Sequence, residues 1–203
     1  MKTLLQLNTS LFASGGQSSQ LADKFVATWK ANNADNSNAR TIVRDLASNP
    51  LPHLDAERFL AFIAQPAERT VRQQELAAEA DALIDEIKSA DIIVLGLPMY
   101  NFGAPSTLKA YFDRIARAGV TFRYTANGPE GLLTGKKAYI FATRGGLYAG
   151  TPLDSQTTYV RDFLGFLGIS DVEFIYAEGL NMGEPSKQAA LASAQERLEE
   201  LAA

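Results

Sequence analysis

The chain has 203 residues and a formal net charge of −4, from 19 Lys and Arg against 23 Asp and Glu. That length fits one domain, and a chain of this size buries roughly 70% of its unfolded surface without disulfides or a structural metal. With no cysteine and a single histidine, His53, the sequence excludes disulfides, a thiolate nucleophile, iron–sulfur ligation, cysteine zinc sites and a histidine metal cluster.

Residues 2–8 form a short apolar run interrupted by Gln6 and Asn8, which reads as a first strand and is too short and polar for a secretory signal. Leu21, Ala22, Phe25, Val26 and Trp29 then recur at helical spacing within 17–31. A polar stretch at 32–39 reads as turns before a second strand at 41–45. Pro50 and Pro52 break the next segment, in which 56–64 suits a short helix. Thr70 and Gln73 have capping-box spacing, and Leu76, Ala80, Leu83, Ile84 and Ile87 line one face of a helix over 70–88. Residues 91–97 are nearly all apolar, as in a central parallel strand covered on both sides. Pro98 ends that strand, and Pro105 suits the first turn of a helix with Leu108, Phe112 and Ile115 inward and Gly119 just past its end. An excursion follows at about 119–135, a hairpin-like loop outside the main sheet. A fourth strand at 138–143, a helix at 153–167, a fifth strand at 171–177 and a last helix opened by Pro185 complete the chain. No apolar run of about 18 residues exists to cross a membrane, so a soluble cytoplasmic protein is expected.

Strands alternating with helices predict an α/β fold, an open parallel sheet with helices on both faces. Ligands of such sheets sit beyond the carboxyl ends of the strands, so the loops after strands one, three and four are the candidates. Residues 9–20 supply Ser10, Gly16, Gln17, Ser18 and Ser19 at a helix start, a set able to ring a phosphate with neutral hydrogen bonds. The alternative there is a plain polar loop with Ser18 as N-cap. The pattern lacks the lysine of a nucleoside triphosphate loop and the spacing of a dinucleotide fingerprint. In 98–106, Met99, Tyr100 and Phe102 are apolar where solvent would demand polar residues, with the Asn101 amide among them. A flat heteroaromatic ligand would use both. In 143–152, Gly145 and Gly146 allow close backbone approach, and Arg144 either faces an anion or caps a carboxylate. On the 153–167 helix, Tyr159 and Phe166 lie roughly 100° off the core face. They mark either an interface or burial beneath a neighbouring loop.

The stretches PMYNF at 98–102, RAGVTFRYTANGPEGLLTGKKA at 117–138, TRGG at 143–146 and FLGFLGI at 163–169 resemble the bacterial FMN-dependent NADH azoreductases of the flavodoxin-like quinone reductase superfamily. The resemblance spans essentially the whole chain. It implies one flavodoxin-like domain over 1–203 with strand order 2-1-3-4-5. It implies one noncovalent FMN per subunit of a homodimer with shared active sites. The implied cofactor-binding residues are Ser10, Gly16, Gln17 and Ser18 for the phosphate, Met99, Tyr100, Asn101 and Phe102 along the isoalloxazine, and Thr143, Arg144, Gly145 and Gly146. Gly16 stands where family members often have serine. Substrate walls map onto Tyr124, Tyr148 and, from the partner subunit, Phe166, with Tyr148 near a position often held by histidine. An arginine placed near the substrate in some members is unmatched by Phe62 and Ile63.

The implied activity is two-electron, ping-pong transfer from NADH or NADPH to quinones and azo compounds. The flavin carries the chemistry, so no catalytic side chain and no metal are expected. An alternative is a non-enzymatic flavodoxin-like electron carrier, which the modest charge argues against. A serine hydrolase is ranked last, since there is no GxSxG elbow and only His53 is available as base. The acidic balance also argues against a nucleic-acid partner.

Overall fold

A computed structural model describes residues 2–33 and 39–203. The expected turn-rich stretch at 32–39 falls mostly outside the described residues. Five parallel strands form the sheet: β1 (Thr3–Asn8), β2 (Arg40–Asp45), β3 (Ile92–Pro98), β6 (Lys137–Thr143) and β7 (Asp171–Ala177). A two-stranded antiparallel hairpin, β4 (Phe122–Thr125) and β5 (Gly128–Gly131), stands apart. Numbered along the chain, the sheet order is β2-β1-β3-β6-β7 rather than 2-1-3-4-5, because the excursion expected to be hairpin-like and outside the main sheet forms two strands of its own, the fourth and fifth in sequence. The described residues form six α-helices, five before the last strand and one after it: α1 (Gln17–Asn32), α2 (Ala56–Ile63), α3 (Val71–Ser89), α4 (Ser106–Ile115), α5 (Ser155–Phe166) and α6 (Glu184–Ala202).

Strand periodicity divides the core between two faces. Ile93, Leu95 and Leu97 of β3, with Leu5 and Leu7 of β1 and Ile140 of β6, pack under α3, α4 and α5. The intervening Ile92 and Val94, with Leu4, Tyr139 and Phe141, pack under α1 and α6. All of β3 is buried, as its unbroken apolar run requires of a central strand.

Local signals set most helix ends. Both halves of the Thr70–Gln73 capping box form at α3, and the Asp55 side chain caps α2. The helix opened by Pro105 ends at Ile115, earlier than the Gly119 signal suggested. Thr121 explains the difference: its buried hydroxyl donates to the Ile115 carbonyl (2.7 Å) and accepts from the Arg117 N–H (2.9 Å). This closes the helix and leads the chain into β4. Tyr159 and Phe166 of α5 are half-buried, Tyr159 against Phe112 and Phe166 against Phe122 with ring centroids 4.3 Å apart.

Candidate active site

The carboxyl ends of β1, β3 and β6 adjoin at the middle of the sheet, and their loops meet there. Gly16, in extended conformation, is the N-cap of α1. Ser18 is thus a first-turn residue and not the cap. The first N–H groups of α1 lack carbonyl partners within the helix and face outward with the positive end of its dipole. Gly96 of β3 lets this turn lie close: a Cβ there would sit 3.0 Å from the Ser18 carbonyl oxygen. The Ser18 and Ser19 hydroxyls are buried with no hydrogen-bond partner among the described residues. Ser10 is buried, and its Oγ accepts from the Phe12 N–H at 3.2 Å. A Cβ on Gly16 would overlap the Ser10 side chain, so that hydroxymethyl group fills the space a serine at 16 would need.

After β3 the chain makes a two-residue turn. Tyr100 and Gly103 exchange backbone hydrogen bonds (3.1 and 2.9 Å), with Asn101 at φ 49° and Phe102 at φ 64°. Left-handed backbone comes readily to asparagine and costs a residue such as phenylalanine about 1–2 kcal/mol. The result points both side chains outward, and Phe102 is half exposed. Tyr100 ties this turn to the first loop, its hydroxyl accepting from the Leu11 N–H at 3.1 Å.

Arg144 behaves differently from one of the two roles open to it. Its side chain is fully buried, and the guanidinium donates to Glu178 (3.0 Å), Asp154 (2.7 Å) and the Thr157 hydroxyl (2.8 Å). It therefore caps carboxylates and has no free charge for an anion, contrary to a side-chain role in cofactor binding. Glu178 also accepts from the Tyr148 and Ala149 N–H groups (2.8 and 2.9 Å), fixing the loop beyond the paired glycines. The loop after β7 runs alongside, with Leu180 and Asn181 N–H groups donating to the Arg144 and Gly145 carbonyls. Asn181 and Tyr148 lie so close over Gly145 and Gly146 that a Cβ on either would come within 2.6 and 2.8 Å of them.

These loops enclose two adjoining cavities. One, of about 330 Å³, is lined by Ser10, Gly16, Gln17, Met99, Tyr100, Thr143, Arg144 and Gly145, together with Phe12, Pro98, Leu180, Asn181 and Lys187. The other, of about 460 Å³, is lined by Met99, Asn101, Phe102, Gly145, Gly146, Tyr148 and Asn181. Among the described residues no carboxylate lines either, although the chain as a whole is acidic. Tyr148 meets Phe102 edge-on at 5.6 Å across the second cavity. Ser18 is fully buried, and Ser18, Tyr124 and Phe166 line neither cavity. Tyr124 is 74% exposed beside a separate groove of about 720 Å³ along α2, with Phe59, Phe62 and Ile63.

The sequence model of the flavodoxin-like fold matches residues 2–202. The chain belongs to this flavodoxin-like family. It is 55% identical over 200 residues to the FMN-dependent NADH:quinone oxidoreductase of Cellvibrio japonicus (strain Ueda107), covering 98% of each chain. It is 53% identical over 198 residues to FMN-dependent NADH:quinone oxidoreductase 6 of Burkholderia lata, again covering 98% of each. Its fold superposes with a TM-score of 0.89, at 27% identity, on an FMN-dependent NADH-azoreductase from Bacillus anthracis str. Ames Ancestor in complex with FMN. That match covers 100% of this chain and 98% of the other.

This flavodoxin-like chain adds a fourth wall that sequence reasoning passed over. Leu180, Asn181 and Lys187 come from the segment after β7, which ends at the same edge of the sheet as the other loops. The readable signal was the run of Gly179, Asn181 and Gly183 directly after an alternating strand. Among the described residues no carboxylate pairs with Lys187. No described helix is long and apolar enough to cross a membrane, and no described His, Asp and Glu cluster is arranged to hold a metal ion.

Proposed function

We propose that this chain is an FMN-dependent NADH:quinone oxidoreductase that also reduces azo compounds, built as one flavodoxin-like domain over residues 1–203. The observation that carries the reading is the cleft itself, which joins a helix start with outward-facing N–H groups to a glycine-walled slot edged by Met99 and Phe102. It does so in a chain 55% identical to an oxidoreductase of that name.

The residues fit FMN. The α1 N-terminus, Ser10 and Gln17 form a donor set for a phosphate, with the buried Ser18 in the turn beneath them. Among the described residues, Lys187 is the one cation lining the cleft whose charge is not already matched by a carboxylate. Met99, Tyr100 and Phe102 offer apolar surface to a flat ring and exclude water, while Asn101 carries an amide able both to donate and to accept at its edge. Thr143, Gly145 and Gly146 close the opposite wall with little side-chain bulk. Tyr148 narrows the second cavity, where a planar donor or acceptor would dock. Bound FMN would supply the two-electron relay from NADH to a quinone or azo acceptor. The protein's part is to bind, orient and desolvate, and His53 lines neither cavity.

The active unit we infer is a homodimer in the cytoplasm, the compartment that supplies NADH. Tyr124 and Phe166 lie outside the cleft of their own chain, so as substrate walls they serve the cleft of a second copy. The exposed apolar groove beside Tyr124 supports such a contact.

Lys187→Met should weaken FMN binding about 10-fold, worth ~1.4 kcal/mol, and leave riboflavin binding unchanged. Paired fluorescence titrations check this, and an equal loss for both ligands would remove Lys187 from the phosphate end. The test of the function is the anaerobic visible spectrum of the protein with FMN. A bound flavin band should bleach on NADH and recover on a quinone. A bound flavin that NADH leaves oxidised would return the reading to an electron carrier, and no bound flavin would sink both.

A further inference from the structure

The turn at 98–103 holds two consecutive non-glycine residues in left-handed backbone, and such a shape persists only where its surroundings impose it. One side is tied down by Tyr100. The other is held by the first turn of α5, which the sequence gives no reason to connect with this loop. Gln156 is fully buried there. Its Nε2 donates to the Pro98 carbonyl at 2.8 Å and lies 3.4 Å from the Gly103 carbonyl, the two residues that bracket the turn. The neighbouring Ser155 hydroxyl donates to the carbonyl of Phe102, the more strained residue.

The rest of the Gln156 amide sharpens the point. Its Oε1 is buried without a partner among the described residues. Flipping the amide would aim that oxygen at two carbonyls, so the orientation is fixed by what the NH₂ group does. A buried acceptor is left unpaired while both available N–H bonds go to one loop. That arrangement describes a clamp better than a core contact. We propose that Gln156, assisted by Ser155, is a positioning residue that fixes the 98–103 turn and with it the Met99–Phe102 wall of the cleft. The proposal rests on the FMN reading above, because the turn's shape matters to function only if it lines the cofactor.

The test uses the full-length protein with FMN. Gln156→Met keeps the side chain's bulk and removes its donors. It should bind FMN about 10-fold more weakly by fluorescence titration, with a changed visible band of the bound flavin. Ser155 is exposed, so Ser155→Ala should fold normally, weaken FMN about threefold, and be rescued by Ser155→Thr. If Gln156→Met and Ser155→Ala both bind FMN with wild-type affinity and spectrum, even with a lowered melting temperature, the clamp is refuted and the FMN reading stands. If the wild-type protein binds no FMN, the function and this inference fall together.

Discussion

Arg144→Ala should destabilise the protein by about 3–5 kcal/mol, the usual cost of breaking a buried ion pair from one side. At 203 residues that is a fall in thermal midpoint on the order of 10 °C. The loss follows from what remains, not from the attraction removed. The Asp154 and Glu178 side chains are only 6% and 14% exposed, and without the guanidinium two carboxylates stay buried with no countercharge. The Arg144 group also lies over the Tyr176 ring at 5.0 Å, so alanine leaves a void as well. Arg144→Met would refill that void but should recover little, because the uncompensated charge dominates. Adding Asp154→Asn and Glu178→Gln to Arg144→Met should restore much of the midpoint.

The same network predicts a pH dependence. Burial pushes the Asp154 carboxyl up, but hydrogen bonds from Arg144 and from the Thr157 N–H and hydroxyl outweigh this and hold it below the usual aspartate range. A pKa lowered in the folded state adds stability above the unfolded value of about 3.9, lost as pH falls through the folded one. The stability gap between wild type and Arg144→Ala should therefore be full at pH 7 and shrink below about pH 4. Denaturant titrations of the apo protein at pH 7 and below 4 read it directly. A gap constant with pH would show that the midpoint loss is packing alone.

Of the two roles the sequence left open for Arg144, anion binding and carboxylate capping, only the fold selects the second. Periodicity and caps act over a few residues, so the alternating faces of β3, the Thr70–Gln73 box and the Asp55 cap of α2 follow from neighbours in sequence. Resemblance placed Met99 to Phe102 and Gly145–Gly146 on one cleft, and the loops do meet there. The partners of Arg144, however, lie 10 and 34 residues away, and no local pattern distinguishes a cation awaiting a phosphate from one already paired. Ser18 had good capping chemistry, yet Gly16 takes the cap, and the room for the turn that follows comes from Gly96, a long way off in sequence. The hairpin-like excursion was expected, but its second strand could not be read locally, because β5 is Gly-Pro-Glu-Gly, with no strand propensity. It pairs because the Arg123–Glu130 ion pair spans the hairpin and because Gly131 packs backbone to backbone on Gly168. Local structure was legible, and what tertiary contact decides was not.

Gly96→Val tests that long-range contact where it matters most. A Cβ at 96 would lie 3.0 Å from the Ser18 oxygen, 3.1 Å from its carbonyl carbon and 3.3 Å from the Ser19 nitrogen. All three are backbone atoms of the first turn of α1, so no side-chain rotation relieves the crowding. Gly96 is in the middle of the sheet, paired with Asn8 on β1 and Phe141 on β6, and β3 cannot retreat. The helix start has to move, and valine's two further methyls make it move more than alanine would. Overpacking of this kind costs about 1–3 kcal/mol in stability. The effect on the cofactor should be larger, because a phosphate held by aligned N–H groups loses affinity steeply when the donors shift by even about 1 Å. FMN affinity is expected to fall roughly 100-fold in Gly96→Val and far less in Gly96→Ala, with riboflavin nearly unaffected in both. Titrations of the two ligands against the three proteins measure this. If Gly96→Val lowers the melting temperature yet binds FMN within about threefold of wild type, the α1 N-terminus does not hold the phosphate. The anion end of the cleft would then have to be sought around Lys187 and the loop after β7.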